Sequence, residues 1–504
     1  LGTVAEALAE AVANGFQVEP EAYHLLQELE ADQDPVTLIR KAMELKRRRK
    51  GFEATIGRAD IEDLIPELQL KRAPAEEVEA LAPEEIEEEV KVVKDLTGRL
   101  KASTVTEGYR NLFLSRYRKL MSIARERPDT RRVVSIANLK RTNNQGEVKI
   151  AGLLMEKRIG KGEVDLTIED ETGAIKVRAY DEPARQEAAR ALLDQLLILD
   201  LEGVNRRVPT VKSLYPPDIP DHIPHTASKH VYAVLTSDLH VGSTAFKREA
   251  FRRFLEWLKG NLGDRDLVRR IKYIIIAGDL VDGVGIYPDQ EKQLEEFSIE
   301  GQCRIAAELL LQIPDHIRVF ISPGNHDPGR QALPQEAIPP QYLSELYQRP
   351  NFTMLSNPAE LELHSARLLV YHGRSLDDVI STTPGVSFNR PAQAMKLLLK
   401  ARHLAPIYGG KTPLAPEDED HLVIDRVPDI FHAGHIHVLD LETYRGVLIV
   451  NSGTWQDQTN YQRRMGINPT PGVVPIVDLA TLEVETRNFL EAAREELPAE
   501  PGPP

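Results

Sequence analysis

Apolar residues in the first 65 positions recur every three or four residues, the spacing of one helix face. Val4, Leu8, Ala11 and Val12 predict a first helix that stops at Gly15. Pro20 opens a second helix with Tyr23, Leu25, Leu26 and Leu29. Pro35 opens a third with Val36, Leu38, Ile39, Met43 and Leu45. That third helix ends in Lys46-Arg47-Arg48-Arg49-Lys50, a run that either complements a helix C-terminus or binds DNA. Residues 1–65 therefore read as a helical domain without catalytic residues, suited to docking. Between Pro74 and Asp95, nine acidic side chains stand against two basic ones, with two prolines. Such like-charge density resists collapse, so residues 66–105 read as a flexible acidic linker. Helical spacing returns over residues 106–130 through Tyr109, Leu112, Phe113, Tyr117, Leu120 and Ile123, with the Arg and Lys residues on a solvated face.

From residue 131 the period drops to two. The stretch EVKIAGLLMEKRIGKGEVDLTIEDETGAIKVRAY alternates apolar and polar positions and breaks at Gly160–Gly162 and Asp170–Gly173, which are hairpin signals. A helix from Pro183 to Leu197 and a strand in LLILDLEGV follow. Residues 131–212 thus predict a small OB-fold barrel, either a platform for other chains or a holder of single-stranded nucleic acid. Lys157, Arg158, Lys161, Lys176 and Arg178 favour nucleic acid, whereas the scarcity of aromatics favours the platform. Prolines in SLYPPDIPDHIPH make residues 213–227 a bridge. Residues 228–490 then alternate apolar strands with helices, and residues 491–504 read as a disordered tail. The class is multidomain α+β.

Composition narrows the possibilities. A chain of 504 residues exceeds a single core, and 41% hydrophobic with 28% charged content suits a globular protein. No run of about 18 apolar residues exists, so nothing is expected to span a membrane. LGTVAEALAEAV lacks a basic n-region, so no secretory signal is expected. One cysteine, Cys303, rules out an internal disulfide and fits a reducing compartment. The net charge of −15 argues against coating nucleic acid by bulk attraction. It leaves room for local contact with a phosphate wherever a site supplies its own positive charge.

The chemistry gathers at strand ends, where an α/β sheet presents reactive groups. VFISPGNHD ends an apolar run with Asn325, His326 and Asp327. YAVLTSDLHVGS delivers Asp238 and His240, and IKYIIIAGDLVDG delivers Asp279. LLVYHGRS places His372, and DIFHAGHIHVLD places His435 and His437. Each piece alone is weak, since a strand-end histidine is commonly a satisfied core residue. The ordered set of five is specific. Acids, imidazoles and an amide in this mix suit paired Mn²⁺, Fe, Zn²⁺ or Ni²⁺ better than Mg²⁺, which prefers oxygen and water.

The set resembles the calcineurin-like metallophosphoesterases, whose fold is an αββα sandwich. The resemblance implies that Asp238, His240 and His437 bind one ion and that Asn325, His372 and His435 bind the other, with Asp279 bridging. It implies that His326 contacts the phosphate and protonates the leaving oxygen. Asp327 would orient His326 or brace the turn. Arg330 and Arg374 would hold the phosphate backbone or lie on the surface.

A phosphoesterase domain after such a barrel resembles the small, B-type subunits of replicative DNA polymerases, and the archaeal family-D branch above all, from the helical module to Trp455 in NSGTWQDQT. Every expected ligand is present, which matches the branch whose small subunits are active. The resemblance implies 3′-5′ proofreading exonuclease activity on single-stranded or mismatched ends, with Mn²⁺ as the activating metal. It also implies a large catalytic subunit and primer-template DNA as partners, a sliding clamp reached through that complex, and a cytoplasmic, nucleoid-associated place in an archaeon. A catalytically silent assembly subunit and a free-standing repair nuclease or phosphoesterase remain as alternatives. The long segment between His372 and His435 either caps the metal cleft or packs as an ordinary insertion.

Overall fold

The computed structural model describes residues 3–29, 34–48, 54–62, 86–102, 104–141 and 146–490. Residues 49–50 of the basic run, residues 63–85 of the acidic stretch and the expected tail at 491–504 lie outside the described residues. The chain divides into two compact units, Leu1–Ala80 and Leu81–Pro504. In the first, helices Val4–Ala13, Pro20–Leu29, Pro35–Arg48 and Arg58–Glu62 accompany two short parallel strands, Gln17–Val18 and Thr55–Ile56. Thr3 and Glu6 cap the first helix reciprocally, which satisfies two orphan N–H groups. Its buried face is Val4, Ala7 and Ala11; Val12, expected on that face, is 71% exposed because it falls one residue off the stripe.

In the second unit, the strands Val148–Ile159, Val164–Asp170, Gly173–Ala179, Thr210–Tyr215 and Leu196–Glu202 close into a small barrel, because the first also pairs with the last. Alternating burial along Val164–Asp170 matches the period-two pattern. The helix expected over Pro183–Leu197 stops at Arg190. Leu196 and Leu197 instead begin a strand, since their pairing with Leu153 and Gly152 outweighs the helical propensity of the run.

Two six-stranded sheets build the rest. One runs in the order Phe352–Met354, Arg318–Ser322, Ile271–Ala277, Tyr232–Thr236, Val473–Asp478, Val484–Asn488. The other runs Asp440–Tyr444, Val447–Asn451, Ile430–Ala433, Ala366–Val370, Ala359–Leu363, Val90–Lys94. Their facing sides share one core that includes Leu235, Ile275, Phe320, Leu361, Leu368 and Val450. Helices Arg248–Leu258 and Ile299–Leu310 cover the outer face of the first sheet, and Leu376–Thr382 with Pro391–Ala401 cover that of the second. Central strands such as Ile271–Ala277 are buried on both faces, which is why they read as unbroken apolar runs. The segment between His372 and His435 thus supplies a packed outer layer, as an ordinary insertion would.

Two expectations fail here for the same reason, an unforeseen tertiary partner. The acidic stretch is no free linker throughout: Val90–Lys94 is an edge strand antiparallel to Ala359–Leu363. Beyond it, Leu96 N–H donates to Ser356 Oγ and Lys101 N–H to Glu417, tying the segment down. On the long helix Val105–Arg125, Arg116 is fully buried rather than solvated. Its Nε donates to Asp420 Oδ2 at 2.8 Å and its Nη1 to the carbonyls of Pro406 and Asp194. Among the described residues no helix is long and apolar enough to cross a membrane.

Candidate metal centre

Five of the expected strand-end residues occupy the left-handed region: Asp238, His240, Asp279, His435 and His437 have φ between 50° and 70°. Non-glycine residues there cost on the order of 1 kcal/mol each and persist only where surrounding structure enforces them. The sharp turns that result aim the side chains back over the strand ends. Neighbouring glycines permit it. A Cβ at Gly324 would collide with Asp279, and one at Gly434 with Ser237 and Asp238.

One donor set is formed by Asp238, His240 and His437. The two Nε2 atoms lie 3.0 Å apart, and Asp238 Oδ1 is 3.3 Å from that of His437 and 3.8 Å from that of His240. Cation bonds of about 2.1 Å place neighbouring ligand atoms roughly 3.0–3.4 Å apart, so two of these edges match a coordination shell and the third, to His240, is longer by a few tenths of an ångström. The other Asp238 oxygen accepts from Ser237 Oγ and from His435 N–H, whereas buried Oδ1 has no hydrogen-bond partner. His240 Nδ1–H donates to Asp282 Oδ1 at 3.0 Å, which leaves the lone pair on Nε2 facing inward.

The second set adjoins it. His372 Nε2 is 3.1 Å from Asn325 Oδ1 and 3.3 Å from Asp279 Oδ2, and its Nδ1–H donates to the Ala277 carbonyl at 2.8 Å. His435 joins Asp279 and His372 as a third possible ligand, with ligand atoms within 4.8 Å. Asp279 Oδ1 is fixed by His326 N–H, while Oδ2 lies 3.8 Å from His240 Nε2, between the two sets. An unpartnered buried carboxylate oxygen among inward-facing imidazole nitrogens is a donor set that fits divalent cations. Burial alone would depress the imidazoles, yet the carboxylates of Asp238, Asp282 and Asp279 lift His240 to about 10, and Asp279 lifts His372 to about 9. Protons and cations therefore compete for the same nitrogens. Burial likewise opposes ionisation of Asp279, but the neighbouring imidazoles hold it well below the usual carboxylate range.

His326 stands at the rim, its ring 4.7 Å from that of His240. Its Nδ1–H donates to the Asp282 carbonyl at 2.6 Å and its Nε2 is 3.9 Å from Asp279 Oδ2. Asp327 does not orient it. The Asp327 carboxylate accepts instead from Val281 N–H and Gly324 N–H, bracing two of the turns. Arg330 is also committed elsewhere, to the Pro334 carbonyl and Glu417. Arg374 donates to the Gln331 carbonyl, and burial lowers it.

Sequence reasoning missed the supports of the ligands. Asp282 holds His240 and is itself held by Gln290 and Gln456. It stands three residues past Asp279 in GDLVDG, a spacing that could have flagged it. Gln462 contacts His437 Nδ1 at 2.7 Å, and Asp377 Oδ2 lies 3.5 Å from His435 Nε2. Neither sits at a strand end, so no local signal announced them.

Residues 233–438 match the family of B-type subunits of DNA polymerases alpha and epsilon. Among curated relatives, the DNA polymerase II small subunit of Archaeoglobus fulgidus is 41% identical over 77% of this chain and 78% of its own length. That of Methanothermobacter thermautotrophicus is 34% identical over 95% of this chain and 99% of its own. That of Pyrococcus furiosus is 43% identical, with 78% of this chain aligned to 65% of the relative's length. The chain thus spans about two thirds of the Pyrococcus protein.

Proposed function

The chain belongs to the family of small subunits of archaeal family-D DNA polymerases, named DNA polymerase II small subunits, and from that premise we propose that it is an active two-cation phosphodiesterase. In this reading it removes nucleotides from the 3′ ends of single-stranded or mismatched DNA while assembled with a large catalytic subunit, which would connect it to primer-template DNA and to a sliding clamp. The layered body of two sheets and four helices is read as a calcineurin-like domain and the barrel as an OB-fold. One observation carries the proposal. Two inward-facing donor sets adjoin, with Asp279 Oδ2 between them and a buried Asp238 oxygen without a hydrogen-bond donor among the described residues.

Asp238, His240 and His437 would hold one cation, Asn325, His372 and His435 the other, and Asp279 both. When bound, such a pair, Mn²⁺ in this reading, would acidify a water and neutralise charge on the phosphoryl oxygens. His326, fixed through Nδ1, would as the imidazolium present Nε2–H to the leaving oxygen, give it that proton and be left as the neutral ring. Asp282, Gln462 and Asp377 hold ligand rings in place, and Asp327 holds the turns. Of the two candidate phosphate clamps, Arg374 keeps that role and Arg330 is assigned to structure. A silent scaffold would have no need of five strained backbones pointing imidazoles and acids at one another.

The test is cleavage of single strands labelled at either end, with Mn²⁺, by the wild type and by His326→Ala and Asp279→Ala. Label released first from the 3′ end, and lost in both variants, is the expected result. Cleavage that survives both substitutions would refute the mechanism.

A further inference from the structure

A cleft of about 510 Å³ separates the barrel from the outer helix Pro391–Ala401, away from the ligands described above. Its barrel wall carries Arg190 and Tyr215, and its helix wall Arg390, Lys396 and Lys400. Four cations and two carboxylates line it, a local excess of positive charge on a chain whose net charge is −15. Lys396 is paired with Glu442 and Arg390 with Asp440. Arg190 and Lys400 are committed to no carboxylate within 4 Å among the described residues. The Lys400 ammonium lies over the ring of Tyr444, 5.8 Å from its centroid. Arg190 is exposed and Lys400 half-buried, so both charges are open to an incoming anion.

The cleft is joined to the metal centre by one short element. Helix Asn460–Met465 starts beside the centre, where Gln462 touches His437. It ends at Gly466, whose carbonyl accepts from Asn389 Nδ2 at 3.1 Å, next to Arg390 at the cleft mouth. Six residues of helix span about 9 Å. Arg464 and Tyr461 are exposed along that span, a cation for a phosphate and a ring for a base.

We propose that this cleft carries the sugar-phosphate backbone of a single-stranded polynucleotide whose end lies at the metal centre. The proposal deepens the reading of that centre as a polynucleotide-cutting site and rests on it. The strand runs from the ligands past Tyr461 and Arg464 and between Arg190 and Lys400, held through phosphates and therefore without regard to sequence.

The experiment measures anisotropy of a fluorescent single strand of about 16 nucleotides across a KCl series, with chelator present so that nothing is cut. Arg190→Glu with Lys400→Glu is compared with Arg252→Glu plus Arg304→Glu, which changes the charge equally on the helices of the other sheet. The cleft variant is expected to bind roughly tenfold more weakly, with a log-log salt slope shallower by about 1.4, at about 0.7 per lost phosphate contact. The control variant is expected to keep most of the affinity and the whole slope. Equal losses in both, or none in either, would overturn the proposal. So would intact strand affinity with loss confined to a poly-glutamate probe, which would make the cleft a seat for an acidic protein segment. Because cleavage plays no part in the readout, a wild type that cuts nothing would count against the nuclease reading alone.

Discussion

Replacing Arg116 with methionine is expected to destabilise the larger unit by about 3–5 kcal/mol, the range for removing one partner of a buried pair. Both side chains of the Arg116–Asp420 pair are 0% exposed, so solvent screening does not dilute the loss. Asp420 would keep His403 Nε2–H at 2.9 Å and the N–H of Leu422, but no cation. The Pro406 and Asp194 carbonyls would lose their donor as well. Arg116→Met with Asp420→Asn removes both charges while leaving an amide oxygen to accept at position 420, and is expected to recover part of the deficit. Urea unfolding followed by tryptophan fluorescence is the assay, since Trp257 and Trp455 are both buried in the larger unit. A single variant within about 1 kcal/mol of wild type, or a double variant no better than the single, would refute the reasoning.

Acid should act on the same cluster. His403 accepts from Ala405 N–H at Nδ1 and donates from Nε2 to Asp420, so the neutral ring satisfies both atoms. Burial, then the charge of Arg116, push it down to about 4. The unfolded chain takes up a proton near pH 6.5 that the folded one refuses, so stability falls as pH drops from 6.5 towards 4, by up to roughly 3 kcal/mol. The gap in urea midpoint between wild type and His403→Asn should therefore narrow across that window; a constant gap would contradict the assignment. At the metal centre, Asp282→Asn should weaken Mn²⁺ binding about 10- to 100-fold by loosening His240, read by titration calorimetry. Unchanged affinity would remove Asp282 from the support role.

Much of this was legible because it is local. Strand-end residues are announced by the apolar run before them, so Asp238, Asp279, Asn325, His372 and the two histidines of GHIH could be picked out and, by resemblance, sorted into sets. Their supports were not legible, because Asp377 and Gln462 reach the centre from an insertion and a late short helix whose placement depends on packing. Charge misled twice. Arg116 lies among solvated cations in sequence and becomes a core residue only because Asp420, some three hundred positions later, meets it. Asp327 sits beside His326 in the chain, yet its carboxylate turns towards the N–H of Gly324 in its own turn and that of Val281 in a neighbouring one, which compete better than an imidazole already held by a carbonyl.

Val90–Lys94 joins the second sheet before the chain departs to make the barrel, and the chain rejoins the body at Tyr232. The barrel is therefore an excursion with two anchored feet rather than a bead on a string. Severing the proline bridge would not set it adrift, since the upstream foot stays stitched in by main-chain hydrogen bonds. Conversely, a fragment cut to begin at residue 228 would strip a neighbour from Ala359–Leu363 and leave a naked border inviting foreign strands. The two-sheet body, for all that its candidate site starts at Asp238, begins structurally more than a hundred residues earlier.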